Sequence, residues 1–209
     1  SIIGFSDLLR SARLDDETVH DYAESIYKEG KYLKSISSKL MDLILLRQKP
    51  EMTEIDVPRL VEEIDESVRP IASSRQVAFS AASVEAKLVC DRELIKSLLY
   101  NLIDNAVKAS QPGTCVTLNA YFTQDGVMEF SVADQGSGIP KEELDKIFEP
   151  FYRVDKARSR AAGGTGLGLS IVRDAVRHHG GTITVQARQP AGVVFTVILP
   201  AWREEESGG

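Results

Sequence analysis

Three polar side chains share one face of an otherwise apolar segment. In "RELIKSLLYNLIDNAVKAS", Asn101, Asn105 and Lys108 stand at i, i+4 and i+7, a single stripe on a helix. Asparagine is a poor helix former and gains nothing in an apolar core unless its amide finds a partner. An amide oxygen suits a hard cation such as Mg²⁺ and an ammonium suits phosphate, so the stripe fits a metal-bound nucleotide. A solvated helix face has the same pattern.

Three further stretches have the composition of a binding site. In "VADQGSGIP", Asp134 ends an apolar strand, and Gly136 and Gly138 turn the chain away. A carboxylate there can accept a hydrogen bond from an exocyclic amine such as that of adenine, and the glycines admit a flat ring. A capped turn would read the same way. In "IFEPFYRVDKARSRAAGG", the aromatic anchor Phe148–Pro150–Phe151 leads into a segment with three arginines and one lysine between Arg153 and Ala162. This is the composition of a cationic lid, or of a disordered loop. "GGTGLGLSIV" places four glycines in six residues directly before an apolar run. Inside a helix or strand each glycine costs roughly 0.5–1 kcal/mol relative to alanine. Such a loop lets backbone amides approach an anion at the positive end of a helix.

The elements that must position these residues follow from capping, periodicity and turn signals. "SIIGFSDLLRSA" is already in helical register, with Ile2, Ile3, Phe5, Leu8, Leu9 and Ala12 on one face, which reads as a helix cut midway. After a break at Arg13–Asp16, a long helix capped by Asp15 or Asp16 runs to "LLRQ". Its apolar positions Val19, Tyr22, Ile26, Leu33, Ile36, Leu40 and Leu43 form a heptad seam interrupted by Glu29. The two helices make a hairpin, and two hairpins in a dimer make a four-helix bundle. A two-helix layer against the next domain is the alternative.

Beyond the linker at "RQKPEMT" the texture alternates. "MTEIDV" reads as a strand, followed by a helix capped near Asp56 with Pro58 in its first turn. "QVAFSAA" and "AKLVCD" read as strands, and Asp91 caps the helix that carries the asparagines. "CVTLNAYF" and "VMEFSVAD" form a hairpin around Gln124–Gly126. The glycine loop opens a helix to about His179, and "GTITVQAR" with "GVVFTVILP" closes the chain as a second hairpin. The expectation is an α+β protein, with a helical hairpin over 1–49 and an α/β sandwich over 52–200. The sandwich would be a mixed sheet with helices on one face, ahead of a tail at 201–209.

The chain has 209 residues, 43% hydrophobic and 27% charged, with a net charge of −6. This is ordinary for a globular protein and leaves no basic footprint for nucleic acid. No apolar run reaches the about 18 residues a membrane span needs. Cys90 and Cys115 form no CxxC pair and read as two buried thiols.

In this order, "NLIDNAVK", "DQGSGIP", "IFEPFYR" and "GGTGLGLSIV" resemble the N, first G, F and second G boxes of sensor histidine kinases. These belong to the ATP-binding group that includes gyrase, Hsp90 and MutL. The resemblance covers roughly residues 52 to 200, and "SIIGFSDLL" with the second helix resembles the dimerisation and phosphotransfer hairpin of the same kinases. It implies that Asn105 coordinates Mg²⁺, that Asn101 lies beside it and that Lys108 contacts phosphate. Asp134 would read the adenine amino group, with Gly136, Gly138, Ile139 and Tyr152 shaping the pocket. Arg153, with Lys156, would steady the phosphates. Gly164, Gly166 and Gly168 would let the lid and the next helix approach, with Thr165 and Leu167 between them.

Hydrolysing relatives carry a glutamate base at the position of Asn101. An amide cannot take a proton from water, which favours phosphoryl transfer over hydrolysis. Ala109 departs from the family, where many members have an aromatic residue. The resemblance implies ATP and Mg²⁺ as ligands, a homodimer through the hairpin, a response-regulator receiver domain as partner and a cytoplasmic location. The parent would be membrane-anchored. The family's acceptor histidine lies just upstream of the "IIGF" stretch. His20, His178 and His179 are expected to be solvated or capping residues, the last two at a helix C-terminus that favours a cation. A nucleotide-binding scaffold, or an ATPase or serine kinase of the same group, are the competing readings.

Overall fold

The computed structural model describes residues 2–45, 49–123, 126–154 and 165–200. Gln124, Lys156, Gly164 and the 201–209 tail lie outside the described residues, as does the side chain of Leu43. The chain divides into two compact units, one built on two helices and one that holds every strand.

The helical unit contains α1 (Ile2–Ser11) and α2 (Asp16–Leu45). Asp15 starts α2 as expected of a cap: its carboxylate accepts the backbone N–H and the hydroxyl of Thr18, each at 2.8 Å. These two bonds hold the Asp15 carboxyl below its ordinary range. The rings of Phe5 and Tyr22 meet at 5.1 Å between centroids. No residue of α1 is buried, and Val19, Leu33 and Leu40 of the α2 seam are exposed.

In the second unit, β1 (Met52–Asp56), α3 (Val57–Ser74), β2 (Ala78–Ser83), β3 (Lys87–Asp91) and α4 (Arg92–Ala109) come first. They are followed by β4 (Cys115–Phe122), β5 (Met128–Ala133), α5 (Gly168–His178), β6 (Thr182–Ala187) and β7 (Val193–Leu199). Asp56 and Asp91 cap α3 and α4 through the N–H groups of Arg59 at 2.9 Å and Leu94 at 3.0 Å.

The main sheet runs β2-β4-β5-β7-β6, with β2 parallel to β4 and the other pairs antiparallel. Strands β1 and β3 do not join it. They form a separate antiparallel ribbon in which Met52 faces Asp91, which corrects the single mixed sheet expected from strand texture alone. Burial alternates along β7, with Val193, Phe195, Val197 and Leu199 inside and the residues between them half-buried. The inner face is covered by α3, α4 and α5, and α4 packs beside α5. The core gathers there: Ile95, Leu98, Leu99, Leu102, Ile103 and Phe130 are fully enclosed.

Two expectations about titratable residues are revised, although His179 does cap the C-terminal end of α5 as one of the two alternatives had it. His179 is neither solvated nor a cation but buried, with Nδ1 2.7 Å from the Ala175 carbonyl, while Nε2 accepts the Asp91 N–H at 3.0 Å. An accepting Nε2 leaves the ring proton on Nδ1, so the imidazole is neutral, and burial pushes its pKa below the ordinary value. Of the two thiols only Cys90 is buried, and burial raises it to about 12, whereas Cys115 is half-buried. Among the described residues no helix is long and apolar enough to cross a membrane.

Candidate functional site

α4 carries the asparagine stripe beside a core-facing stripe that includes Leu94, Leu98, Leu102 and Ala106. Asn101 is 8% exposed, and its amide nitrogen donates to the Ser97 carbonyl at 2.9 Å, so part of this side chain is engaged with its own helix. Asn105, one turn on, is half-buried. The Lys108 ammonium is not free: it pairs with Asp104 at 2.6 Å, both side chains about a quarter exposed (24% and 29%). Asp104 thereby holds the lysine at the C-terminal end of α4, where it competes with any incoming phosphate for the same charge.

Asp134 leaves the end of β5 and is 2% exposed. Its Oδ1 accepts the N–H of Gly136 at 2.8 Å and of Val193 at 3.3 Å, which fixes the plane of the carboxylate. Among the described residues no donor reaches Oδ2. Burial pushes the carboxyl above its ordinary value, opposed by the two amides and by the charge of Arg188. The glycines that follow have steric reasons. A Cβ on Gly136 would stand 2.6 Å from the Ala109 carbonyl, so only glycine lets this loop close against the end of α4. Gly138 has φ +72°. Ile139 packs against the core, half-buried.

Of the aromatic anchor, Phe148 packs against the core and Phe151 does not. Phe148 meets Phe195 of β7 edge-on at 6.4 Å, and Phe151 is 70% exposed with φ +65°. The Phe151 N–H donates to the Gly166 carbonyl at 2.8 Å, and a Cβ on Gly166 (φ +74°) would stand 2.7 Å from the Phe151 backbone. The two ends of the arginine-rich segment are therefore clasped together at a glycine that nothing larger replaces. Tyr152 and Arg153 are half-buried beside this clasp. The Nε and Nη2 of Arg153 are enclosed without a hydrogen-bond partner. An enclosed guanidinium with idle donors is a ready receptor for phosphate oxygen.

Thr165, immediately before Gly166 in the chain, is buried. Leu167 stands at the N-cap of α5 with no side chain capping the helix, and Gly168 is its first residue. No side-chain cap takes the first amides of α5, the end at which a helix N-terminus favours an anion.

The structure packs Gly136, whose N–H holds Asp134, against Ala109 at the end of the helix that carries Asn105 and Lys108, and joins Phe151 to Gly166 at the clasp. It adds further residues to the site, not all of them revealed by local patterns. Asp104 was visible as an i, i+4 partner of Lys108, whereas Arg188, Gly192 and Val193 come from the far hairpin and had no signal beyond an ordinary turn glycine. Among the described residues no cluster of three or more His, Cys, Asp and Glu could hold a metal by itself.

Residues 90–203 match the family model described as "Histidine kinase-, DNA gyrase B-, and HSP90-like ATPase". The chain is 34% identical over 204 residues to the sensor-like histidine kinase SenX3 of Mycolicibacterium smegmatis, covering 96% of this chain and 53% of that protein. It spans about half the length of the curated relatives it matches first (53% and 50%). Among solved structures, the histidine kinase ThkA in complex with the response regulator protein TrrA aligns with TM-score 0.77 and 26% identity. That alignment covers 98% of this chain and 57% of the other. Full-length ShkA in complex with AMPPNP aligns with TM-score 0.74 and 26% identity, over 96% of this chain and 42% of the other.

Proposed function

Because the chain belongs to the histidine kinase-, DNA gyrase B- and HSP90-like ATPase family, we propose that it is the kinase core of a two-component sensor. Residues 52–200 bind Mg²⁺–ATP and deliver the γ-phosphoryl group to a histidine outside the 209 residues, for relay to a receiver-domain aspartate. Residues 1–49 pair with a second copy as a four-helix bundle. The core works in the cytoplasm, in a membrane-anchored parent. The observation that carries the nucleotide reading is Asp134. A carboxylate this deeply buried, pinned through one oxygen by two backbone amides, has its other oxygen left to accept from a base amino group.

The donor set fits a cation that arrives with its nucleotide rather than one held in a protein cage. Asn105 offers one hard amide oxygen, and phosphate oxygens complete the shell. When bound, Mg²⁺ supplies charge neutralisation across the phosphates. Lys108 exchanges its Asp104 partner for phosphate, Arg153 offers its idle Nε and Nη2, and the uncapped α5 end faces the anion. Asn101 cannot serve as a base toward water, which protects the phosphoryl group from hydrolysis. The AMPPNP and response-regulator complexes of the two aligned kinases support the nucleotide and the partner class.

Of the histidines of this chain, His179 is buried and committed through both ring nitrogens, which makes it a poor acceptor, whereas His20 and the helix-ending His178 are exposed. Asn105→Ala is expected to abolish the Mg²⁺-dependent part of nucleotide binding, and unchanged affinity would remove the metal role. The chain alone is expected to yield no acid-labile, base-stable phosphohistidine on incubation with labelled ATP. Label on His20, His178 or His179 would overturn that assignment.

A further inference from the structure

The turn between β6 and β7 sits on the main chain of Asp134, more than fifty residues away in sequence. Gly192 makes this possible. It has φ +103°, and a Cβ there would stand 2.1 Å from the Asp134 carbonyl oxygen and 2.9 Å from Oδ1. No side chain fits between the turn and the aspartate. With the gap closed, the Asp134 N–H donates to the Val193 carbonyl at 3.0 Å and the Val193 N–H returns to Oδ1 at 3.3 Å. Arg188 seals the turn, since its N–H donates to the Gly192 carbonyl at 3.0 Å and its Nη1 reaches the Asp134 carbonyl at 3.4 Å.

We propose that Arg188 and Gly192 form a positioning device that holds Asp134 in the orientation needed to read the exocyclic amino group of a purine base. The site's base selectivity is therefore set partly by the β6–β7 turn. This rests on the reading of Asp134 as the base-recognising carboxylate. The physics is specific to orientation. A carboxylate held by one amide can swing about it, whereas two amides on Oδ1 direct Oδ2 to a single place. The nearby guanidinium also favours the ionised, acceptor-only form against the cost of burial. An ionised Oδ2 accepts from the 6-amino group of adenine but meets only a carbonyl in the inosine analogue, which it repels.

The test compares a non-hydrolysable ATP analogue, the matching inosine nucleotide and inorganic tripolyphosphate, titrated into the full chain with Mg²⁺. Arg188→Ala is expected to lower the preference for adenine over inosine by about three- to tenfold, the scale of one hydrogen bond, with tripolyphosphate affinity unchanged. Arg188→Lys, which keeps the charge and a donor, should recover most of the preference. Asp134→Asn serves as the control and should abolish it. If Asp134→Asn removes the preference and Arg188→Ala leaves it intact, the positioning role fails while the reading of Asp134 stands. If Asp134→Asn itself leaves the preference intact, that reading fails and the inference with it. Equal losses for the nucleotides and tripolyphosphate in Arg188→Ala mean general damage and overturn the positioning role.

Discussion

Leu99 of α4 and Leu33 of α2 both belong to apolar stripes at helical spacing, yet the first is fully buried and the second is 55% exposed. The catalytic unit closes its core with its own elements: α4 and α5 lie beside each other over the inner face of a five-stranded sheet. The helical unit has the amphipathic pattern without the cover. No residue of α1 is buried, and Tyr27, Leu33, Leu40, Met41 and Ile44 remain exposed along α2. One stripe is satisfied within the chain, while the other has the form of an interface awaiting a second surface, as the proposed four-helix bundle supplies.

Substitutions can separate the two cases. Leu99→Ala, which opens a cavity in a closed core, is expected to cost about 2–5 kcal/mol of stability in denaturant unfolding. Leu33→Ala should change unfolding of the isolated chain by no more than about 0.5 kcal/mol, as an exposed position does. Its effect should appear instead as weaker self-association in sedimentation. A large unfolding cost at Leu33, or none at Leu99, would dissolve the contrast.

Asp134→Ala sharpens it at the level of function. Loss of a hydrogen bond to a charged group is expected to weaken adenine nucleotides by about 1.5–3 kcal/mol, with tripolyphosphate much less affected. Self-association should not change, because the aspartate belongs to the closed unit alone.

The smallest expected effect is a pH dependence confined to the catalytic unit. Above about pH 6.5 His179 is neutral both folded and unfolded, so its two hydrogen bonds contribute in full. Below that, the unfolded chain takes up a proton that the buried ring resists, so stability falls as pH drops toward the lowered native pKa. Asp91 and the neighbouring His178 are the charged or titratable groups that act on the ring. His179→Gln should flatten the thermal-unfolding profile between pH 6.5 and 5 relative to the parent chain. An unaltered slope would show that His179 is not its source.

What was legible in the sequence was local. Asp15, Asp56 and Asp91 announce helix starts because a cap acts within three residues, and Pro58 and the turn at Gly126 punctuate in the same way. The spacing of Asn101, Asn105 and Lys108 already placed a polar face on α4. Long-range pairing was not legible. β1 and β3 have ordinary strand texture, and nothing in it says that they pair with each other and leave the main sheet. His179 follows a second histidine at a helix end, a local picture of solvation. It is buried instead, and the donor to its Nε2 is the Asp91 backbone, 88 residues earlier. For the same reason Gly192 and Arg188 do not stand out in the sequence, since their partner Asp134 lies more than fifty residues earlier.

The account stands most directly on the proposed Mg²⁺-dependent nucleotide site of the catalytic unit. Calorimetric titration of the chain with AMPPNP, with and without Mg²⁺, tests it. The account predicts saturable binding of a single nucleotide per chain that depends on the metal and is lost in Asn105→Ala. Absence of binding, or binding indifferent to both metal and Asn105, would contradict it and leave the four boxes as a fold signature without a working site.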